Sequence, residues 1–248
     1  MTHQHFRRLA LIAAAPLALA ACKSESETPG ALPQGEPIAA VTAPAGTAWG
    51  DKVTVSPEGG YILGNPEAPL KLVEYASHTC SHCADFSKEA HEPLDKYIGT
   101  GVVSYELRNQ IHDPIDLSIA MLVRCGPPES MHPLSIQAWA EFEQIYAGLN
   151  ANQAAVQQAL AQPPAQRLQA VAQAGGLIDF FAARGISRDQ ALQCLGDQAK
   201  AEAIVQASQK QSEELGVTGT PTFFLNGARV EGATWKAIEP ALQAAGAR

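Results

Sequence analysis

Two cysteines three positions apart, Cys80 and Cys83, are the residues of this chain best suited to chemistry. They follow a β-like run, residues 70–75, and precede a helical pattern that is expected to begin around Cys83. Thiolates rather than thiols exchange disulfides, and the unpaired backbone N–H groups of a helix N-terminus lower a thiol pKa. The C-x-x-C spacing at such a junction therefore predicts a redox-active pair.

Three other interpretations of this cysteine pair stay open at the level of sequence. The pair could be a static disulfide, or a zinc half-site that also uses His78, although no second C-x-x-C completes four ligands. His78, Cys80, His82 and Cys83 also group sulfur with imidazole, which are ligands that copper accepts. In that case the protein would be a non-enzymatic metal or peptide carrier.

The first 22 residues predict export. Arg7 and Arg8 precede an apolar run over residues 9–20, and small residues follow, which is the layout of a secretory signal peptide. Residues 19–22 resemble a bacterial lipobox, in which Cys22 is lipidated and becomes the mature N-terminus. Ordinary cleavage after residues 18–20, an A-x-A site, is the alternative. Both predict a location in the bacterial cell envelope facing the periplasm, and the lipobox adds a lipid anchor in a membrane.

The composition limits the partners. The chain of 248 residues has a formal net charge of -8, and without residues 1–22 it would keep 15 basic against 25 acidic residues. Such an acidic surface argues against nucleic acid and against docking to anionic lipid. A hydrophobic fraction of 46% is ample for a packed core, and no segment after the signal is apolar enough to span a bilayer.

An oxidising compartment favours disulfides between the remaining cysteines. With Cys22 lipidated, four cysteines allow three connectivities. Proximity pairs Cys80 with Cys83 and leaves Cys125 with Cys194. The second bridge would close a loop of about 70 residues and contribute roughly 4 kcal/mol in the chain-entropy model. The alternative is that Cys125 and Cys194 are unrelated buried thiols.

The chain divides into four regions by composition. Residues 23–49 are rich in Pro, Gly, Ala, Ser and Glu and predict a disordered tether. A parallel βαβ unit should follow, with strands over 70–75 and 102–107 and a helix that Pro93 kinks or shortens. The Ala-, Gln- and Leu-rich residues 113–198 predict an inserted subdomain of short helices.

The C-terminal part predicts a helix, a hairpin and a last helix. The helix should span residues 198–215, and two short β-like runs flank Asn226-Gly227, the strongest short hairpin signal. The predicted fold class is therefore α/β, with one mixed sheet flanked by helices. Residues 50–112 and 199–248 would form this main domain, which the helical insertion interrupts.

This order of elements, with C-x-x-C at the first strand–helix junction and Thr220-Pro221 before the hairpin, resembles the thioredoxin fold. The helical insertion, Cys-Ser-His-Cys at 80–83 and Thr-Pro-Thr-Phe-Phe-Leu-Asn-Gly at 220–227 look like its DsbA-like branch, over about residues 60–245. The resemblance implies a protein thiol–disulfide oxidoreductase without a cofactor. Its partners would be cysteine-containing exported proteins and a membrane redox protein that reoxidises or reduces the pair.

The resemblance also implies roles for the residues around the pair. Cys80, the N-terminal cysteine, would be the exposed nucleophile, and Cys83 the buried resolving thiol. A protonated His82 would stabilise the Cys80 thiolate and so the reduced form, which makes the disulfide a strong oxidant.

Two elements distant in sequence complete the expected site. The Thr220–Pro221 bond would be cis and face the cysteines, where the residue before proline offers backbone hydrogen bonds to an extended substrate; an ordinary trans proline is the alternative. Glu74 would be a buried acid that relays protons to and from the resolving thiol. Alternatively it is a strand-end glutamate that reaches water.

The direction of exchange is the least determined feature. His82 favours an oxidase, whereas Ser81, which stands where the DsbA-like pattern often has proline, and Thr220 suit an isomerase or reductase. Isomerases of this type dimerise through an N-terminal domain, but the N-terminal segment here is predicted to be a tether. We therefore expect a monomeric oxidase. Three further side chains are expected at surface or cap positions: His112, Met131 and His132.

Overall fold

The computed structural model of this protein describes Met1 and residues 32–248. The predicted signal peptide and the lipidation of Cys22 concern residues outside this part. Within the described part, no helix is both long enough and apolar enough to cross a membrane.

Six strands form one mixed sheet. They are β1 (Val53–Val55), β2 (Tyr61–Gly64), β3 (Leu70–Ala76), β4 (Val103–Asn109), β5 (Thr222–Leu225) and β6 (Ala228–Val230). Their order across the sheet is β1-β2-β4-β3-β5-β6, in which only β3 and β4 are parallel. The predicted mixed sheet and its central parallel pair are confirmed. The short strands β1 and β2 were not predicted, because three or four residues carry too little alternation.

The helices of the described part lie between and beyond these strands. They are α1 (Ser81–Gly99), α2 (Pro114–Val123), α3 (Met131–Ala140), α4 (Phe142–Ala151), α5 (Gln153–Leu160), α6 (Pro164–Ala174), α7 (Leu177–Ala182), α8 (Arg188–Leu195), α9 (Gln198–Leu215) and α10 (Trp235–Ala244). Residues 114–195 thus contain α2 to α8 and no strand. Helix α1 continues past Pro93 to Gly99, because Leu94 and Ile98 remain buried in the core beyond the proline.

Residues 35–49 differ from the disordered tether that their composition predicts. The backbone N–H groups of Gly35, Ile38 and Val41 donate to carbonyls at the C-terminal ends of α10 and α1. Trp49 is buried, and its indole Nε1 donates to the Val41 carbonyl at 2.7 Å. Main-chain hydrogen bonds and the buried Trp49 side chain hold residues 35–49 against the rest of the protein. Amino-acid composition does not predict contacts of this kind.

The hairpin after the Thr-Pro sequence is confirmed. Asn226 and Gly227 have φ values of 50° and 82°, the left-handed values that a two-residue type I′ turn requires. The Asn226 side chain also joins the turn to strand β3, since its Oδ1 accepts from the Lys71 N–H at 2.7 Å. The hairpin is thereby held against the strand that leads to the two cysteines.

The part of the core that positions the site lies between this sheet and α1, and the core continues into the helices of residues 114–195. Phe86 of α1 packs on Phe223 of β5 with ring centroids 4.5 Å apart, and Leu72 and Leu225 are fully buried beside them. This packing sets the start of α1 at the carboxyl end of β3, next to the segment before β5.

Candidate redox site

The two cysteines lie at the start of α1. The helix begins at Ser81, two residues earlier than predicted, and Cys80 is its N-cap residue in an extended conformation. Cys80 is partly exposed, whereas Cys83, almost one turn further, is fully buried, and both are free thiols. One sulfur can therefore be reached from solvent while the other faces the core.

The environment of Cys80 favours its thiolate and lowers its pKa to about 5. The largest cause is a hydrogen bond from the Cys83 thiol, and burial opposes it in part. The Thr220 side chain and the backbone N–H groups of Cys83 and His82 lower the pKa further. His82 contributes here through its main-chain N–H, and its side chain is exposed. The role of a protonated His82 imidazole stays a prediction.

Cys83 is held in the opposite protonation state. Burial raises the pKa of its thiol well above the ordinary value, and the hydrogen bond to Cys80 and the charge of Glu74 raise it further. Cys83 therefore remains a thiol that donates to the Cys80 thiolate. The pair is asymmetric: one sulfur is a stabilised anion and the other a proton-bearing neighbour.

Glu74 is a buried acid. The residue is 1% exposed, and burial raises its pKa to about 8 although the Tyr105 hydroxyl donates to its Oε2. Its Oε1 has no hydrogen-bond partner among the described residues. The alternative of a strand-end glutamate that reaches water is therefore wrong. Near neutral pH this carboxyl group therefore holds a proton that it can release. The group is also close enough to Cys83 for its charge to shift the pKa of that thiol.

The Thr220–Pro221 peptide bond is cis, the isomer that the resemblance implies. The Thr220 carbonyl oxygen lies 3.2 Å from Cys80 Sγ. Thr222, which follows Pro221, opens β5 in register with Tyr75 of β3. Because β5 pairs directly with β3, the segment before β5 meets the helix that follows β3, although 140 positions separate Cys80 from Thr220.

His112 belongs to this site, although a surface or cap position was predicted for it. Its side chain is exposed, and its Nε2 lies 3.3 Å from the Thr220 hydroxyl oxygen. One signal in the sequence points there: His112 follows the end of β4, and the carboxyl ends of parallel strands share one edge of a sheet. The site thus has an imidazole beside its cis-proline segment.

Asp116 joins the loops that carry these groups. The carboxylate is fully buried; its Oδ1 accepts from the His78 N–H at 2.9 Å, and its Oδ2 accepts from Ser77 Oγ at 2.7 Å and the His112 N–H at 3.0 Å. Burial raises its pKa to about 6 in spite of these donors. Asp116 therefore ties the segment before Cys80 to the residue beside Thr220.

His78 is a packed core residue. It is 2% exposed, stacks on Trp139 with ring centroids 4.8 Å apart, and has Ser135 Oγ 3.1 Å from its Nε2. Asn109 Nδ2 lies 3.4 Å from its Nδ1. Burial, and secondarily the charge of Arg124, lower its pKa to about 3. His78 is therefore not available as the zinc or copper ligand that these interpretations require. In the described part of the chain, no group of three or more His, Cys, Asp or Glu side chains could hold a metal ion.

Four other predicted positions lie away from this pair. Cys125 and Cys194 form a disulfide between the end of α2 and α8. Met131 is fully buried and His132 is 3% exposed with its Nε2 2.9 Å from the Tyr61 carbonyl oxygen, so the surface or cap prediction for both is wrong. Both begin α3, which packs against α1 and β2 and so faces the core.

Comparison with known proteins agrees with this geometry. The model of the family described as Thioredoxin matches residues 56–244. A protein-disulfide isomerase from Novosphingobium aromaticivorans is 32% identical, with a TM-score of 0.70 over 74% of this chain and 95% of that one. The chain therefore belongs to the thioredoxin family.

Two further relatives extend the comparison. Wolbachia pipientis alpha-DsbA1, 23% identical, shares the fold with a TM-score of 0.59 over 76% of this chain and 92% of that one. A Rickettsia typhi protein, provisionally named a protein-disulfide oxidoreductase, is 29% identical over 171 residues, or 68% of this chain. The match spans 56% of the length of that curated relative.

Proposed function

We propose that this protein is an exported thiol–disulfide oxidoreductase that exchanges disulfides with cysteine-containing proteins through Cys80 and Cys83. One observation carries the proposal: the site lowers the pKa of Cys80 to about 5 and raises that of Cys83. An environment that stabilises the thiolate stabilises the reduced pair, which makes the corresponding disulfide more oxidising. The preferred direction is therefore oxidation of substrate thiols.

The first step uses the exposed sulfur. A substrate thiolate attacks Cys80 Sγ of the oxidised pair, a substrate–Cys80 disulfide forms, and the Cys80–Cys83 bond breaks with its electron pair on Cys83. Because Cys83 is buried, its thiolate must take up a proton, and Glu74 is the acid placed to supply it. The Thr220 segment would hold the substrate chain beside Cys80.

The second step releases the product. The substrate's second thiolate attacks the substrate sulfur of the mixed disulfide, and Cys80 leaves as a thiolate. A thiolate with a pKa of about 5 is a good leaving group, so this step is favoured. The two electrons removed from the substrate remain on the Cys80 and Cys83 sulfurs. No cofactor is required, and a membrane redox partner would remove these electrons.

Mixed-disulfide trapping tests the proposed nucleophile. In a Cys83→Ala variant expressed in an oxidising compartment, the Cys80 thiolate can still attack a substrate disulfide, which is the reverse of the second step and releases one substrate sulfur as a thiolate. The resulting mixed disulfides should accumulate on Cys80, because Cys83 is no longer there to attack Cys80. A Cys80→Ala variant is the matched control and should trap none. Equal recovery from both variants, or from neither, would contradict the assignment of Cys80.

The alternative direction is isomerisation or reduction. Thr220 before the cis-proline favours it in the sequence, and the Novosphingobium relative is named a protein-disulfide isomerase. Equilibration of the pair with glutathione separates the two. An oxidase should give a potential nearer to about -120 mV than to about -270 mV, and a value at or below the latter would refute the oxidase.

The proposed location rests on the first 22 residues. We place the protein in the bacterial envelope facing the periplasm, attached by lipid at Cys22 and acting as a monomer. Labelling with palmitate in a bacterial host should modify the wild type but not a Cys22→Ser variant. Unlabelled protein that begins at Ala21 would instead support cleavage at the A-x-A site and remove the anchor.

A further inference from the structure

A cleft of about 790 Å³ opens outside the redox site, between α9, the end of β4 and the turn that joins β1 to β2. Four basic side chains line it although the protein as a whole is acidic: Arg108, Arg124, Lys200 and Lys210. Glu58 and Glu214 are the acidic side chains of its wall. This local excess of positive charge needs an explanation of its own.

Two of the four basic groups are neutralised by neighbours. Arg108 forms ion pairs with Glu106 at 2.7 Å and with Glu58 at 3.4 Å, and Lys210 lies 3.8 Å from Glu214. Arg124 and Lys200 have no carboxylate within 4.0 Å in the described part of the chain. The uncompensated charge of the cleft is therefore located on these two residues.

Arg124 is held in one orientation. Its Nε donates to Asn109 Oδ1 at 2.8 Å, and its Cζ lies 5.0 Å from the ring centroid of Tyr61. No described residue accepts a hydrogen bond from either of its Nη groups. A guanidinium with a fixed plane and two free Nη groups is arranged for bidentate binding of a carboxylate or phosphate.

Lys200 adds a second cation at the same place. Its Nζ donates to the Arg124 carbonyl oxygen at 2.8 Å. Burial lowers the pKa of both side chains, and the charge of Arg124 lowers that of Lys200 further, while the charge of Asp197 opposes the shift of Lys200 in part. Two partly desolvated like charges with no ion pair of their own oppose folding, and a bound anion would reduce that cost.

We propose that this cleft binds a small polyanion, a ligand with two or more carboxylate or phosphate groups, through Arg124 and Lys200. The volume is that of a typical small-molecule site. The cleft also adjoins the redox site, because Asn109 contacts Arg124 on one side and His78, two residues before Cys80, on the other. The proposal does not depend on the redox function.

Calorimetric titration with two probes tests the site. Citrate and pyrophosphate are titrated separately into the full protein, with sodium chloride keeping the ionic strength constant, because screening alone alters weak ionic contacts. At least one probe should bind saturably with one site per chain. Binding of citrate alone identifies polycarboxylates, and binding of pyrophosphate alone identifies ligands with two or more phosphate groups. Absence of saturable binding by both overturns the proposal.

Three variants locate the binding. Lys200→Gln should weaken the affinity for the probe about tenfold or more. Arg124→Lys keeps the charge but loses the paired guanidinium N–H donors, and it should also weaken the affinity. Lys236→Gln, which removes an exposed lysine outside the cleft, should leave it unchanged. The unfolding temperature of each variant, measured with and without probe, verifies the fold and gives a second binding readout. Equal affinity in all three variants would show binding elsewhere and refute the site.

Discussion

His112 and Thr220 meet at the redox site although 108 positions separate them in the chain: His112 Nε2 lies 3.3 Å from the Thr220 hydroxyl oxygen. The same threonine places its carbonyl oxygen 3.2 Å from Cys80 Sγ, and its side chain lowers the Cys80 pKa. The residue before the cis-proline therefore connects an exposed imidazole to the nucleophilic sulfur.

Removal of the Thr220 hydroxyl should raise the Cys80 pKa. Thr220→Val keeps the shape but removes the side-chain contribution that lowers the Cys80 pKa, and a hydrogen bond to a charged group corresponds to a shift of about one unit. The rate of Cys80 alkylation by iodoacetamide as a function of pH measures the midpoint, expected near 5 in the wild type.

Two variants control this measurement. Thr220→Ser retains the hydroxyl and should keep the wild-type midpoint. His112→Ala keeps the Thr220 hydroxyl but removes the imidazole beside it. It should raise the Cys80 pKa by less than Thr220→Val does. If valine and serine at position 220 gave the same midpoint, the hydroxyl would have no part in stabilising the thiolate.

Glu74 should make the reduced protein less stable as the pH rises. Its pKa is about 8 when folded, against 4.5 as the ordinary value, so the unfolded chain loses this proton first. The contribution is fully present below about pH 4.5 and is lost as the pH rises to about 8. In the wild type this loss lowers the free energy of unfolding by on the order of 5 kcal/mol, and Glu74→Gln should abolish that pH dependence.

Urea unfolding at several pH values between 4.5 and 9 measures this effect. The lowered pKa of Cys80 acts in the opposite direction, since its contribution is present at high pH and lost as the pH falls through about 5. The difference between Glu74→Gln and the wild type isolates the carboxyl group. Glu213→Gln, an exposed control, should retain the wild-type dependence of the unfolding free energy on pH. If the Glu74→Gln variant showed that same dependence on pH, the prediction would be contradicted.

Asp116 should be required for the arrangement of the loops around Cys80. Three hydrogen-bond donors converge on the two oxygens of Asp116. Asp116→Asn keeps only one of these oxygens, and its amide NH₂ group would face at least one donor that it cannot accept from. Leaving buried donors unsatisfied costs about 1–3 kcal/mol each. Asp113→Asn is the matched control, because asparagine caps a helix as well as aspartate does. Chemical denaturation should separate the two variants, and equal midpoints would refute the role.

The Cys125–Cys194 disulfide should stabilise the helical segment without taking part in exchange. Joining residues 69 positions apart restricts the unfolded chain, so a Cys125→Ala/Cys194→Ala double variant should lose roughly 4 kcal/mol. The variant should still exchange disulfides through Cys80 when assayed well below its unfolding temperature. An unchanged unfolding midpoint, or complete loss of exchange in the folded variant, would disprove this separation of roles.

Local patterns sufficed for the elements that position the site. The parallel pair β3 and β4, the hairpin at Asn226-Gly227 and the helical character of residues 114–195 follow from periodicity and turn chemistry, which involve neighbours in the chain. The attachment of residues 35–49 could not be predicted in this way. Backbone hydrogen bonds hold much of that stretch, and every residue type except proline can donate them.

Several polar groups of the site escaped prediction because their partners are distant in sequence. Tyr105, which donates to Glu74, and Asp116, which accepts from two loops, are each ordinary residues within their own strand or helix. His78 was weighed as a metal ligand, yet stacking on Trp139, 61 positions away, makes it part of the core. Such roles depend on what packs against a residue.

The sequence by itself determined that Cys80 and Cys83 stand at the junction of a strand and a helix, with Thr-Pro before a late hairpin, because spacing and turn residues are local properties. Only the tertiary structure decided how the pair divides its protons. Burial of Cys83 and Glu74 and the contact of Thr220 with Cys80 set opposite pKa shifts on the two thiols. These shifts arise from solvent exclusion and from contacts between distant segments, which exist only after the chain has packed.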